Sequence, residues 1–285
     1  MFLIQNLLEV IIMNVAIIGC GNIATYVVNS ILKGDIKGLR LHSIVGTPRR
    51  TEYLKEIAAH AECNWTTDVS SLKWEDIDLI IEAAGQKVVR DYLLSFINRG
   101  KHVLVISIGA LTDIDFFKTV YTAAKKSGSQ ILLPSGAIGG LDAIRNAAMG
   151  ELSSVELTTK KHPDSLKSAP YIMENGIDMD DLQEDYELFR GNALDAAKAF
   201  PANLNVAAAL SLAGIGPEQT MVKIIASPHI EMNTHEIRAT GDFGNFYFQF
   251  ENKPSPRNIK SSYLVNLSVL RVLRDFCGNR GVFYN

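Results

Sequence analysis

The chain is poor in cysteine, with three in 285 residues, at Cys20, Cys63 and Cys277. They are far apart and odd in number, and no CxxC pair occurs. That argues against a disulfide framework and against a zinc finger, and makes a reducing cytoplasm the expected setting. A surplus of positive charge is also lacking. Lys and Arg total 28 against 31 Asp and Glu, a formal net charge of −3. Nothing is in place to neutralise a row of phosphates, so no nucleic-acid partner is expected. No apolar run is long enough to cross a bilayer. Met1–Ile12 is apolar but too short, is interrupted by Glu9 and lacks a basic start, so it fits neither a membrane span nor a signal peptide. An upstream start codon, an extra helix and an oligomer contact stay open for it. No histidine pair is spaced with acids as metal ligands, so no metal is expected, and no GxSxG marks a serine hydrolase. Internal repeats, low-complexity tracts and Pro/Ser-rich linkers are missing too. At 47% hydrophobic and 21% charged residues, the composition suits one large folded domain or two ordinary ones.

What is present is alternation. Short apolar runs at Val15–Ile18, Leu39–Val45, Leu79–Ala83, Val103–Ile106 and Ile131–Leu133 read as buried strands. Amphipathic segments between them, including Ala24–Leu32, Arg50–Ala61 and Asp113–Lys125, read as helices. Strand and helix in turn predict a parallel sheet covered on both faces. After about residue 145 the pattern changes. Strands are predicted at Val155–Lys160, Met221–Ala226, His235–Thr240 and Asn245–Glu251, the last two joined by a Gly241–Gly244 hairpin turn. Alanine-rich helices are predicted at Ala193–Phe200 and Asn205–Leu212, and a closing amphipathic helix at Ser262–Phe276. The acidic stretch Asp178–Glu187 reads as a solvated loop or helix. The fold class is α/β: a Rossmann-type parallel sheet domain over 1–145, then an α+β catalytic and dimerisation domain over 146–257, with the segment 258–285 packing back on the first.

Gly19-Cys20-Gly21-Asn22-Ile23-Ala24 is a GxGxxA element placed between the first strand and its helix. The first glycine permits the tight turn, the second lets backbone approach a pyrophosphate, and the small third residue lets helix and strand pack. The helix start supplies N–H groups for phosphate, which makes Gly19, Gly21, Asn22 and Ile23 candidate cofactor contacts. A glycine turn without a ligand is the plainer alternative. The second strand ends Val45-Gly46-Thr47-Pro48-Arg49-Arg50, without the acid that holds the ribose of NAD. Thr47 can donate a hydrogen bond, and Arg49 and Arg50 can neutralise a 2′-phosphate, so NADP is favoured over NAD. Two solvated arginines at a helix start are the alternative. Small residues after the third and fourth strands, Ala84 among them, leave room for the cofactor.

Three further strings carry more information. They are Pro134-Ser135-Gly136-Ala137-Ile138-Gly139-Gly140-Leu141-Asp142, then Phe200-Pro201-Ala202-Asn203-Leu204-Asn205-Val206-Ala207-Ala208-Ala209, then Asn233-Thr234-His235-Glu236-Ile237. With the GxGxxA element, Ser107–Leu111, Leu188–Gly191 and Asn252–Pro254, they resemble the L-aspartate dehydrogenase family from about Met13 to Cys277. The resemblance implies a Rossmann domain plus an α+β domain, usually in a homodimer. It implies reversible oxidation of L-aspartate to iminoaspartate, then oxaloacetate and ammonia, with the imine able to feed NAD biosynthesis. It places the active histidine on His235 and the cofactor-contacting alanine and asparagine on Ala137 and Asn205. The sequence departs from the family at Lys161-His162-Pro163, where KPP is usual, and at Asn258-Ile259-Lys260-Ser261-Ser262, where NPKTS is usual.

The chemistry asked of such a site is the loss of hydride from an α-carbon while the amine loses a proton. A histidine titrating near neutrality could take that proton, activate the water that hydrolyses the imine, or orient substrate. Two substrate carboxylates need cationic or N–H partners, for which Lys160, Lys161 and Lys260 are candidates, and Asn205 could hold the nicotinamide amide or the imine. Solvated surface charge is the alternative for each lysine, and a helix cap for Asn205. His42 reads as structural, His60 and His102 as surface residues beside helix ends, and His229 as part of a turn. A dehydrogenase of this architecture acting on another small amino or dicarboxylic acid, or a non-catalytic dinucleotide sensor, are the competing functions.

Overall fold

The computed structural model describes residues 12–202, 204–256 and 258–278, apart from the Lys260 side chain. Met1–Ile11, and with it the question of the apolar start, lies outside the described residues. The first half runs β1 (Met13–Ile18), α1 (Asn22–Leu32), β2 (Leu39–Val45), α2 (Thr51–Ala61), β3 (Asn64–Thr66), β4 (Leu79–Glu82), α3 (Gln86–Asn98), β5 (His102–Val105), α4 (Ile114–Ser127) and β6 (Ile131–Leu132). These strands form one parallel sheet in the order β3-β2-β1-β4-β5-β6. The near-continuous apolar runs follow from burial on both faces. Successive strand residues point to opposite sides. Val15, Ile17, Leu79 and Ile81 therefore pack with Val27 and Val28 of α1, while Ala16, Ile18 and Ile80 pack with Val89, Leu93 and Phe96 of α3. α4 is bounded by an Asp113 N-cap that accepts from the Phe116 N–H and by Gly128 in the left-handed region at φ 73°.

The second half runs α5 (Leu141–Ala147), β7 (Leu152–Lys161), α6 (Pro163–Leu166), α7 (Pro170–Glu174), β8 (Tyr186–Asn192), α8 (Ala193–Ala199), α9 (Asn205–Ala213), β9 (Met221–Ala226), β10 (Asn233–Gly241) and β11 (Gly244–Asn252). Its sheet has the order β11-β10-β7-β9-β8, antiparallel except for β7 with β9. One face carries Val155, Leu157, Ile224, Ile237 and Ala239 into a core shared with α8 and α9. A short pair, β12 (Pro254–Ser255) and β13 (Asn258–Ser262), then leads into α10 (Tyr263–Phe276). α10 crosses back, and its Val269, Leu270 and Leu273 join the α1 side of the first sheet. Among the described residues no helix is long and apolar enough to cross a membrane.

Four strands escape sequence reading: β3, β8 and the short pair β12 and β13. β3 is three residues at the sheet edge, too short and too exposed for a period to register. β8 begins in the acidic stretch expected to be solvated, and its outer position leaves Glu187 and Arg190 free to pair at 2.8 Å. Nor is that stretch wholly solvated before Tyr186: Met179 is buried, and Asp185 accepts from the Ser227 hydroxyl. His102 opens β5 rather than lying beside a helix end, and its ring packs 5.1 Å from that of Phe276.

Candidate active site

Two features lie along the carboxyl ends of the parallel strands, where open α/β sheets bind ligands. The outer one is a groove of about 630 Å³ over the ends of β1, β2 and β4. Gly19, Gly21, Thr47, Arg50 and Ala84, all named from the sequence as candidate cofactor contacts, line it. At Gly19, φ is +122°, and a Cβ would stand 2.3 Å from the Ala83 carbonyl oxygen, so only glycine fits. At Gly21 a Cβ would meet nothing within 4 Å, which leaves the backbone open to a phosphate. Thr67, Asp68, Lys87 and Tyr92 also face the groove and went unnoticed in the sequence. The Asp68 oxygens are taken up by the Ser70 N–H and hydroxyl, at 2.8 and 2.6 Å.

The inner feature is a cavity of about 150 Å³ between the two halves of the chain. Ile23, Ala137, Lys161, Asn205 and His235 line it together, although they span more than two hundred positions of sequence. Strand periodicity accounts for its polar wall. Along β7 the inward positions are Val155, Leu157, Thr159 and Lys161, and along β10 they are Ala239, Ile237 and His235. His235 pairs in register with Thr159. The same sheet face is thus apolar at one end and polar at the other. His235 is 1% exposed, and its Nδ1 lies 3.0 Å from the Thr159 hydroxyl. Burial first, and then the nearby Lys161 charge, push the imidazole down to about 3. The ring is therefore neutral across physiological pH, which replaces the expectation of titration near neutrality. Burial likewise pulls the Lys161 ammonium down to about 8. Asn205 opens α9, and its Oδ1 accepts the Gly109 N–H at 3.1 Å, tying the two halves together.

Several expected site residues are placed elsewhere. Asn22 donates its side-chain N–H to Ser255 Oγ at 2.9 Å and faces a separate polar pocket beside α1. Arg49 is exposed and does not line the groove. Lys160 points to the opposite sheet face from Lys161, as adjacent strand residues must, and pairs with Asp185 at 3.3 Å. The Lys260 side chain and Asn203 lie outside the described residues. Thr159 was missed, but its place two residues before Lys161 on a strand was the available signal.

The glycine loop between β1 and α1, the groove beside it and the cavity carrying His235 and Lys161 define a nicotinamide-dinucleotide-dependent dehydrogenase that acts on a small molecule. A family model described as "Aspartate dehydrogenase, C-terminal" matches residues 142–276, and one described as "Homoserine dehydrogenase, NAD binding domain" matches residues 19–134. The L-aspartate dehydrogenase of Methanosarcina mazei is 40% identical over 266 residues, covering 92% of this chain and 96% of that one. The L-aspartate dehydrogenase of Methanocella arvoryzae is 44% identical over 203 residues, covering 71% and 75%. Among solved structures, aspartate dehydrogenase from Thermotoga maritima superposes with a TM-score of 0.72 at 27% identity, covering 96% of this chain and 99% of that one. The chain belongs to the L-aspartate dehydrogenase family.

Proposed function

We propose that the chain catalyses the reversible, NADP- or NAD-dependent oxidation of L-aspartate to iminoaspartate, which water converts to oxaloacetate and ammonia. The observation that carries the reading is that His235, held at Nδ1 by Thr159, and Lys161 line one cavity together with Ala137 and Asn205. The dinucleotide, when bound, supplies the hydride acceptor. Gly19 and Gly21 give its pyrophosphate close backbone, and Ala137 and Asn205 border the place of its nicotinamide end. Lys161 offers a buried ammonium to a substrate carboxylate, and a dicarboxylate arriving there offsets the cost of burying that charge. Thr159 holds His235 by Nδ1, which leaves Nε2 as the ring atom for the substrate amine or the attacking water. With Nδ1–H donated to the Thr159 hydroxyl, the neutral ring would offer Nε2 as an acceptor. Oxidation would move the α-hydrogen as hydride to the dinucleotide while the amine proton passes by way of His235 Nε2 to solvent, so that one imine, one reduced dinucleotide and one proton form.

NADP is the favoured cofactor. Thr47 and Arg50 border the groove where β2 ends without an acid, and Arg50 lies 5.7 Å over the Tyr53 ring. The imine product suits a route to NAD biosynthesis. Cys20, Cys63 and Cys277 are all free, as the cytoplasmic setting of this reading requires. A homodimer belongs to the same reading and is checked by sedimentation.

The test is reduced-nicotinamide absorbance with L-aspartate, and its reverse with oxaloacetate and ammonia, using each cofactor. We expect turnover both ways, faster with NADP, and an Arg50→Ala variant that loses the difference. Absence of turnover in both directions with both cofactors overturns the reading.

A further inference from the structure

Glu82 ends β4 and is 1% exposed, although it carries a carboxylate. Oε1 accepts the N–H groups of Ala84 and Gly85 at 2.8 Å each and the Ser107 hydroxyl at 3.0 Å. Oε2 accepts the Ser107 N–H at 3.0 Å. Three of these partners are backbone N–H groups, which only donate, the pattern that a carboxylate's acceptor-only oxygens require. Among the described residues no cation pairs with it within 4.0 Å. A buried charge with hydrogen bonds but no counter-ion is costly to keep.

Its place suggests what it is kept for. Ala84 lines the outer groove, and Ser107 lies between Ile106 and Ile108, which both line the inner cavity. The carboxylate thus ties together two strand-end loops, one bordering the groove and the other flanked by residues of the cavity. The same seam takes the tightest approach of the glycine loop, since Gly19 stands against the Ala83 carbonyl. A dinucleotide reaching from the groove to the cavity would pass these loops.

We propose that Glu82 is a positioning residue for the dinucleotide: it fixes both loops at the crossing, and its buried negative charge favours the oxidised, cationic nicotinamide over the neutral reduced ring. The inference rests on the placement of the dinucleotide across groove and cavity, not on the identity of the substrate. Charge acts over distance in a water-poor interior, so contact with the ring is not needed. A clamp without an electrostatic role would weaken both redox forms alike.

The experiment measures dissociation constants of the oxidised and reduced dinucleotide by quenching of the two tryptophans and by reduced-nicotinamide fluorescence, without substrate. Glu82→Gln keeps the shape and removes the charge. We expect both forms to bind more weakly, with the reduced-to-oxidised ratio of dissociation constants falling about threefold or more. Glu82→Asp keeps the charge on a shorter arm, so it weakens both forms with the ratio unchanged. An unchanged ratio in folded Glu82→Gln overturns the proposal, as does a shifted ratio in Glu82→Asp; if the Gln variant does not fold, Glu82→Ala, which also removes the charge, is read for the same fall in the ratio, and an unchanged ratio there overturns the proposal. A chain that binds dinucleotide with these ratios but does not oxidise aspartate leaves the proposal standing and removes only the substrate reading. A wild-type chain that binds neither redox form overturns both.

Discussion

At the outer groove, Gly19, Gly21 and Ala84 offer backbone; at the inner cavity, Lys161, Asn205 and His235 present side chains, with Thr159 buried behind His235. The first arrangement asks for backbone rather than side chains: in the proposed reading N–H groups and a helix start meet the phosphates, and Gly19 admits no Cβ. The second depends on four particular side chains drawn from three elements that meet only after folding. The difference separates binding from chemistry, and it can be tested by damaging each side alone. His235→Ala should lower kcat about a hundred- to ten-thousandfold while leaving dinucleotide affinity within about twofold. Steady-state kinetics and a fluorescence titration check the two halves of that statement. Full activity would remove the imidazole from the mechanism.

The groove is broken in the opposite way. Gly19→Ala puts a Cβ into the Ala83 carbonyl and a side chain on a φ of +122°. The expected cost is about 1–3 kcal/mol of stability, with dinucleotide affinity down about tenfold. Gly21→Ala meets no atom of the protein. It should leave the unfolding midpoint unchanged and weaken only the bound state. If both variants melt alike and bind alike, the groove does not work by close backbone approach.

The same contrast explains what was legible in the sequence. The GxGxxA element and the β1–α1 boundary are local, and their spacing states a geometry that Gly19 and Gly21 then adopt. The cavity is not local. The alternation of Val155, Leu157, Thr159 and Lys161 was readable as a strand, but which face was inward depends on α8 and α9 packing there. Family resemblance, not periodicity, singled out His235. Nothing in the sequence pointed to its neutrality, which follows from complete burial beside Lys161. The contact of Asn22 with Ser255 joins residues from opposite ends of the chain and left no local signal.

Burying an imidazole and an ammonium together also has a cost that acid exposes. The folded His235 titrates at about 3, against an ordinary value of 6.5. Between those limits the unfolded chain binds a proton that the folded chain refuses, so stability falls as pH falls. At pH 4 the loss from this one group is up to about 3 kcal/mol. Urea midpoints at pH 7 and pH 4 should therefore separate for the wild type and draw closer together in His235→Asn. An equal acid loss in both chains would place its origin elsewhere.

The smallest effect is also the sharpest test of where the site begins. Lys160 and Lys161 are adjacent, yet strand geometry sends one to Asp185 on the outer face and the other into the cavity. Lys160→Ala removes a surface pair and should cost under about 1 kcal/mol, with kcat and the KM for aspartate unchanged. Lys161→Ala removes a buried cation and should raise the KM for aspartate about tenfold or more, because the substrate carboxylate loses its partner. A one-residue slip in the β7–β10 register would exchange the two phenotypes, since Thr159 would then turn away from His235. Measuring both variants side by side thus checks the strand register and the substrate-carboxylate assignment with the same kinetic assay.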